Sequence, residues 1–246
     1  MAGSPPLAVD ALDVAFRPIR SGNAFEECVE RLLSAMKLGL VQPGQRLPAE
    51  RELAGRLGVS RVTLRDALHS LGQAGWLEVR RGRHGGTFVL ERATTEAERR
   101  SFRRAADAAS DQLEDALVLR RVLELGAVEA AATAPVRADA ADRLLSLLAE
   151  CQSAGADRYR AVDSRLHLAI TELAGSPSLS AAAADVRMRM NNLLDAIPLL
   201  ERNIAHSNEQ HERIVRAVLA GRPAEARTAM DEHLAGTAAL LRAFLT

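Results

Sequence analysis

Residues 47–77, LPAERELAGRLGVSRVTLRDALHSLGQAGWL, decide the fold of the amino-terminal part of the chain. Leu53 and Leu57 lie four residues apart and share one face of a short predicted helix. Gly58 is typical of a helix stop, and Ser60 is typical of the N-cap of a following helix. Two helices joined by so short a turn form a helix-turn-helix.

The sequence on both sides extends this motif. Apolar residues recur at steps of three and four over 25–36, which predicts a helix before it. Apolar residues alternate over 76–80 and 87–90 around a glycine-rich tip, which predicts a β-hairpin after it. We therefore expect a winged helix-turn-helix of three helices and a small β-hairpin over 23–92, preceded by a flexible arm, residues 1–22.

Positive charge is concentrated in this part of the chain. The whole chain is neutral, with 32 Lys and Arg against 32 Asp and Glu, but residues 46–83 hold eight arginines and four acidic residues. A local basic excess in a neutral protein is typical of a module that binds a polyanion. On a winged helix-turn-helix, the predicted partner is double-stranded DNA.

The candidate DNA contacts are hydrogen-bond donors at two places in the motif. Donors that can reach base edges or phosphates are clustered at the start of the second helix, at Ser60, Arg61, Thr63 and Arg65. Arg81 lies at the wing beside Gly82, where the missing side chain allows close approach of the backbone.

The rest of the chain has a different composition. From residue 111 onward it is rich in Ala and Leu, and every segment has a helical pattern. Interruptions near 134–135, 153–156, 175–177, 197–198 and 221–223 divide it into about six helices. Their short connections predict an antiparallel all-α bundle over 111–246, which a polar segment, residues 93–110, links to the first domain.

Four side chains of the predicted bundle could bind a metal ion. Asp163 and His167 are four residues apart on one helix, hence on one face. His211 and His233 lie about ten residues on either side of the turn at 221–223, which places them at one level of two antiparallel helices. One carboxylate and three imidazoles suit Zn²⁺, Ni²⁺ or Mn²⁺, while surface histidines without a metal are the other interpretation.

Composition and length narrow the class of protein. A length of 246 residues is enough for two domains, and 48% hydrophobic residues excludes a wholly disordered chain. Aromatic residues make up only 3%, which argues against an all-β fold. Cys28 and Cys151 have no metal or disulfide spacing, no apolar run reaches the ~20 residues of a membrane span, and no secretory signal is present. These features predict a cytoplasmic protein without a membrane partner.

Residues 25–90 resemble the GntR family of bacterial transcription regulators. The resemblance is carried by 47–54, by LGVSRVTLRDAL at 57–68 and by LGQAGWL at 71–77. It implies that Arg51, Ser60, Arg61, Thr63 and Arg65 contact phosphates and bases, with guanine read by Arg61. It also implies that Arg81 and Gly82 enter the minor groove with the wing.

Most of residues 111–241 resembles the FCD ligand-binding domain of the FadR subfamily. The matching stretches are 119–124, 163–175, 211–221 and 226–234. The residues that match the metal ligands of that family are Asp163, His167, His211 and His233. Members with this set bind a small carboxylate beside the metal, and Arg120 matches an arginine of that pocket, whereas members that bind acyl-CoA lack the set.

These expectations combine into one hypothesis. A homodimer binds a palindromic operator, and an organic acid, paired with Arg120 or Arg187, binds the metal, changes the bundle and alters the spacing of the two winged domains. We expect the regulator to be a repressor that leaves the operator when the effector binds. Two alternatives are a metal-dependent hydrolase, with Glu209 or Glu212 as its base, and a regulator for which the metal ion itself is the signal.

Overall fold

The computed structural model describes residues 16, 18–19, 22–37, 40–82, 85–90 and 96–246, with the side chains of the last range from residue 112 onward. The chain forms two compact units, residues 1–94 and 95–246. Most of the predicted arm, 1–22, lies outside the described residues. Within it, Phe16 is buried and the backbone N–H of Ile19 donates to the carbonyl of Leu57.

The first unit is a winged helix-turn-helix, as predicted. Its elements are α1 (Ala24–Lys37), α2 (Glu50–Leu57), α3 (Arg61–Gln73), β1 (Leu77–Arg80) and β2 (Gly86–Val89). The two strands pair antiparallel, with Leu77 opposite Val89 and Arg80 opposite Gly86. The apolar residues that set the helical period form the core of this unit: Leu32, Leu33, Leu53, Leu57, Leu64 and Leu71.

The turn between α2 and α3 has the local chemistry that its sequence predicts. Gly58 ends α2 in the left-handed region, at φ 66°, which an L side chain rarely adopts. The Ser60 hydroxyl caps α3 by accepting a hydrogen bond from the backbone N–H of Thr63 at 3.0 Å. This cap fixes the point at which α3 begins.

The second unit is a helical bundle. Its helices are α4 (Glu96–Thr133), α5 (Ala138–Ser153), α6 (Ala156–Leu173), α7 (Pro177–Asp195), α8 (Glu201–Leu219) and α9 (Pro223–Leu245). The breaks between them lie at the Pro, Gly and Ser positions that predicted them. Buried aliphatic residues from five of these helices form one continuous core, which includes Val128, Leu144, Leu148, Leu166, Ile170, Ile214, Val218 and Met230.

Helix α4 also extends through most of the segment 93–110 that the sequence suggested as a linker. Residues 96–110 contain neither Pro nor Gly and are rich in Ala, so nothing in their sequence interrupts a helix. The segment therefore continues directly into the first helix of the bundle. Among the described residues, no helix combines the length and the apolar character of a membrane span. Cys28 and Cys151 are buried free thiols.

Two neighbouring leucines of α5 test the packing of the bundle. Leu144 is 1% exposed in the core, whereas Leu145, the next residue, is 47% exposed. We expect Leu144→Ala to lower the free energy of unfolding of the second unit by about 2–5 kcal/mol, because it leaves a cavity. Leu145→Ala is the matched control and should change it by less than about 0.5 kcal/mol. Equal effects in denaturant titrations would contradict this packing.

Candidate functional site

The predicted DNA contacts of the first unit lie on α2 and α3. Arg51 and Arg61 are exposed. Arg65 is exposed as well, and its guanidinium donates to the Glu50 carboxylate at 2.7 Å. The hydroxyls of Ser60 and Thr63 lie 2.8 Å apart at the start of α3. The helix thus presents polar side chains and its positive end on one surface.

The wing carries the other two predicted contacts. Arg81 and Gly82 are exposed at the end of β1, and Gly82 has a φ of 106°. The neighbouring Arg80 stacks on the Phe88 ring at 4.5 Å from its centroid. Arg83 and His84 lie outside the described residues.

The structure brings the four predicted metal ligands of the second unit together. Asp163 and His167 come from α6, His211 from α8 and His233 from α9. Each offers one ligand atom, and these four atoms all lie within 4.8 Å of one another. The three imidazoles are buried, and the Asp163 side chain is 13% exposed. The helical register inferred from the sequence is therefore confirmed.

The spacing of these atoms suits ligands of a single cation. Nε2 of His211 lies 3.2 Å from Nε2 of His167 and 3.2 Å from Oδ1 of Asp163. The His211 and His233 ring centroids are 4.6 Å apart. Ligand atoms ~2.1 Å from a shared ion in tetrahedral geometry lie roughly 3.4 Å from each other. The donor set and its spacing fit a divalent transition metal.

Hydrogen bonds outside the cluster orient two of the imidazoles. Nδ1 of His167 lies 2.7 Å from Oε2 of Glu124, and Nδ1 of His233 lies 3.1 Å from Oε1 of Gln210. A carboxylate or amide oxygen can only accept, so both Nδ1 atoms carry the proton. Each Nε2 then keeps its lone pair for a cation, the arrangement typical of metal-binding histidines.

The ionisation states also suit cation binding. Burial would raise the pKa of Asp163, but Arg187, His167 and His211 hold it well below its usual range. Burial, assisted by Arg187, lowers the pKa of His167 to about 4. Burial and the two neighbouring imidazoles lower the pKa of His233 well below its ordinary value. At pH 7 the Asp163 carboxylate is charged and the imidazoles of His167 and His233 are neutral, as metal ligands must be.

A buried ion-pair network surrounds the cluster. Nε of Arg120 donates to Oε1 of Glu124 at 3.0 Å, and Nη2 of Arg187 donates to Oδ2 of Asp163 at 3.1 Å. Burial opposes the ionisation of Glu124, but Arg120 and Arg187 hold its pKa well below the ordinary value. Among the described residues, Nη1 of Arg120 and Nη1 of Arg187 are buried without a hydrogen-bond partner. Both guanidiniums can therefore bind a further anion.

A small cavity opens beside the cluster. It offers about 40 Å³ to the centres of water-sized molecules, which is room for a few atoms. Its charged wall is formed by Arg120, Arg160, Asp163 and Arg187, and His233 reaches it from α9. Both arginines that the sequence analysis proposed for the effector thus face the same space as two of the candidate ligands.

Sequence reasoning missed the residues that orient the ligands. Glu124 is four residues after Arg120 on α4, and this spacing is the only signal that could have paired them. Gln210 precedes His211 in the sequence, yet its side-chain oxygen contacts Nδ1 of His233. His206, on the same helix, lies 3.4 Å from Nε2 of Gln210. The contacts of Glu124 with His167 and of Gln210 with His233 cross between helices, so no spacing along the chain encodes them.

The Glu124 carboxylate can be tested by an isosteric change. Glu124→Gln leaves two buried guanidiniums with one charged partner fewer, so we expect the second unit to lose about 3–5 kcal/mol of unfolding free energy. The control is Glu114→Gln, which breaks the surface pair with Arg242, where both side chains are over 40% exposed. It should cost less than about 1 kcal/mol. Denaturant titrations at pH 7 that gave equal losses would contradict the buried network.

Comparisons with known proteins agree with both units. Residues 25–89 match the family described as bacterial regulatory proteins, gntR family, and residues 115–236 match the FCD domain. A Mycobacterium gastri protein named as the HTH-type transcriptional regulator RmpR is 32% identical over 229 residues, which cover 89% of this chain and 80% of the relative. An Escherichia coli K12 protein named as an L-lactate dehydrogenase operon regulatory protein is 29% identical over 226 residues, covering 85% of this chain and 83% of the relative.

Among solved structures, the chain is similar to Streptococcus agalactiae GntR. The sequence identity is 26%, the match covers 87% of this chain and 98% of that chain, and the TM-score is 0.43. The matched families and relatives are transcriptional regulators, which excludes the hydrolase alternative. The chain therefore belongs to the GntR family of bacterial regulatory proteins, as a DNA-binding transcriptional regulator whose second unit is an FCD domain.

Proposed function

We propose that this regulator senses a small carboxylate at a metal centre in its FCD domain and thereby controls its affinity for operator DNA. The observation that carries the proposal is the buried cluster of Asp163, His167, His211 and His233, with its ligand atoms within 4.8 Å. Aliphatic side chains would pack the core of a bundle better than three buried imidazoles in contact. Binding of a cation would explain why imidazoles occupy these positions.

Zinc is the preferred metal, and nickel or manganese would also accept these ligands. Neutral imidazole nitrogen suits Zn²⁺ and Ni²⁺, while a carboxylate oxygen is compatible with all three ions. Once bound, the metal would supply a positive charge to which a carboxylate oxygen of the effector can bind. Glu124 and Gln210 hold His167 and His233 in the required tautomer, independently of which ion is present.

The effector class follows from the cavity beside the cluster. Arg120 and Arg187 line it, and each has a buried Nη1 without a partner among the described residues. A guanidinium pairs most strongly with a planar carboxylate, through charge-assisted hydrogen bonds. The available space of about 40 Å³ favours a short organic acid over a long acyl chain.

A homodimer would cover an apolar surface of the second unit. Val118 and Val122 of α4 and Met188 of α7 are each more than 60% exposed, on two helices that pack against each other. A second copy placed on this surface would remove these side chains from water. A twofold dimer binds two half-sites of a palindrome, so a small effector-driven change in domain spacing would weaken operator binding. We infer a repressor that acts on operator DNA in the cytoplasm.

The DNA surface can be separated from the metal centre by mutation. Arg61→Ala removes a base-reaching side chain at the start of α3, and we expect operator affinity to fall at least about tenfold. Metal content should not change. Arg137→Ala, an exposed arginine of the second unit, is the control and should leave both unchanged. Binding is measured by fluorescence anisotropy on a duplex that the wild-type protein has selected from a random pool. Unchanged affinity of Arg61→Ala would contradict the assigned surface.

The metal centre is tested by chelation and by removal of one ligand. A metal that binds only the folded state stabilises it, so EDTA treatment should lower the thermal midpoint of the wild-type protein. His167→Ala should lose the metal, by elemental analysis, and its midpoint should not respond to EDTA. His69→Ala, an exposed histidine of the first unit, should behave as the wild type.

Two outcomes would contradict the sensor. A wild-type midpoint that stays constant after confirmed metal loss would exclude a metal centre in the core. If operator binding followed metal concentration without any organic acid, the metal ion itself would be the signal.

A further inference from the structure

We infer that the effector is a short dicarboxylate, with Arg160 binding the carboxylate remote from the metal centre. This inference rests on the proposed function, and it adds a second anion position to the same cavity. Arg160 lines the cavity together with Arg120 and Arg187. No pattern in the sequence singles it out.

The position of Arg160 follows from its helix. It precedes Asp163 by three residues on α6, so its side chain leaves the helix about 5–6 Å from that of Asp163 on the same face. Its Nη2 donates to the carbonyl of Ile197 at 3.2 Å, in the connection between α7 and α8. This contact holds the guanidinium beside the cavity, one helical turn from Asp163.

One donor of this guanidinium is unused. Among the described residues, Nη1 of Arg160 is buried without a hydrogen-bond partner, although the whole side chain is 20% exposed. The acidic group beside it is Asp195, which lies 3.6 Å from Nε and is itself largely exposed. A buried N–H without a partner is costly, and a ligand carboxylate would remove that cost.

The two buried carboxylates of the site cannot supply the missing acceptor. Glu124 already contacts Arg120 and His167, and lies 3.5 Å from Arg187. Asp163 contacts Arg187 and lies 3.2 Å from His211. With the exposed Asp195 beside Arg160 counted, three guanidiniums meet three carboxylates, and a divalent cation would add two positive charges that these carboxylates do not balance. An effector with two negative charges compensates this excess better than one with a single charge.

The cavity admits only a short chain between the two carboxylates, since it offers about 40 Å³ to the centres of water-sized molecules. Leu194, Ile197 and Leu240 line the same cavity and provide an apolar wall for the methylene groups.

The test compares two acids of equal length on two proteins. Isothermal titration calorimetry of metal-loaded, full-length protein at constant ionic strength measures the affinity for succinate and for butyrate, which lacks the second carboxylate. We expect succinate to bind the wild type at least about tenfold more tightly, since the second charge gains a charge-assisted pair. Arg160→Gln should lose most of this preference and bind butyrate within about twofold of the wild type. Metal content is measured after each titration, because succinate can itself bind metal ions.

The outcomes separate this inference from the function on which it rests. If the wild type bound both acids equally, or if Arg160→Gln weakened both equally, Arg160 would only hold the α7–α8 connection in place and the inference would fail. The carboxylate sensor would survive either result. If neither acid bound the wild type, the proposed effector class would fall as well. Restoration of the succinate preference by Arg160→Lys would support the charge-based role.

Discussion

The second unit depends on the compensation of charge inside its helical bundle. Glu124 and Asp163 can remain ionised away from water only because Arg120 and Arg187 lie against them. These pairs hold the residues of α4, α6 and α7 in place, and through His167 and His211 they also fix the imidazole cluster. Isolated buried charges would destabilise the fold by several kcal/mol each. We therefore interpret the network as a structural frame whose remaining positive charge is available to a ligand.

The two units serve regulation through different physical means. The first presents exposed arginines and a capped helix start, so it can read a polyanion from its surface. The second buries its polar groups, and these low-dielectric surroundings would strengthen their interaction with the proposed small anion. Helix α4 carries Arg120 and Glu124 of the site and begins at Glu96, near the start of the second unit.

The sequence predicted most of the fold and the four candidate ligands. Helical periodicity and the Pro and Gly breaks placed the helices, and the antiparallel turn at 221–223 brought His211 and His233 to one level. The linker over 93–110 stays a prediction, and its charged, alanine-rich sequence also suits the helix that covers residues 96–110. The roles of Glu124, Gln210 and Arg160 could not be predicted, because their contacts with His167, His233 and Ile197 join elements that are distant in the sequence. Their roles depend on side-chain contacts that only the packed bundle creates.

The most direct test of the central claim is X-ray absorption spectroscopy at the zinc edge of the zinc-loaded, full-length protein. The account predicts a first coordination shell of nitrogen and oxygen at about 2.0–2.1 Å, with the multiple scattering of three imidazoles. In the variants Asp163→Asn and His211→Ala, the first shell around zinc should be disordered, or the protein should bind less zinc. A spectrum with sulfur ligands, or one of a fully hydrated ion without imidazole scattering, would contradict a metal centre built from the buried cluster.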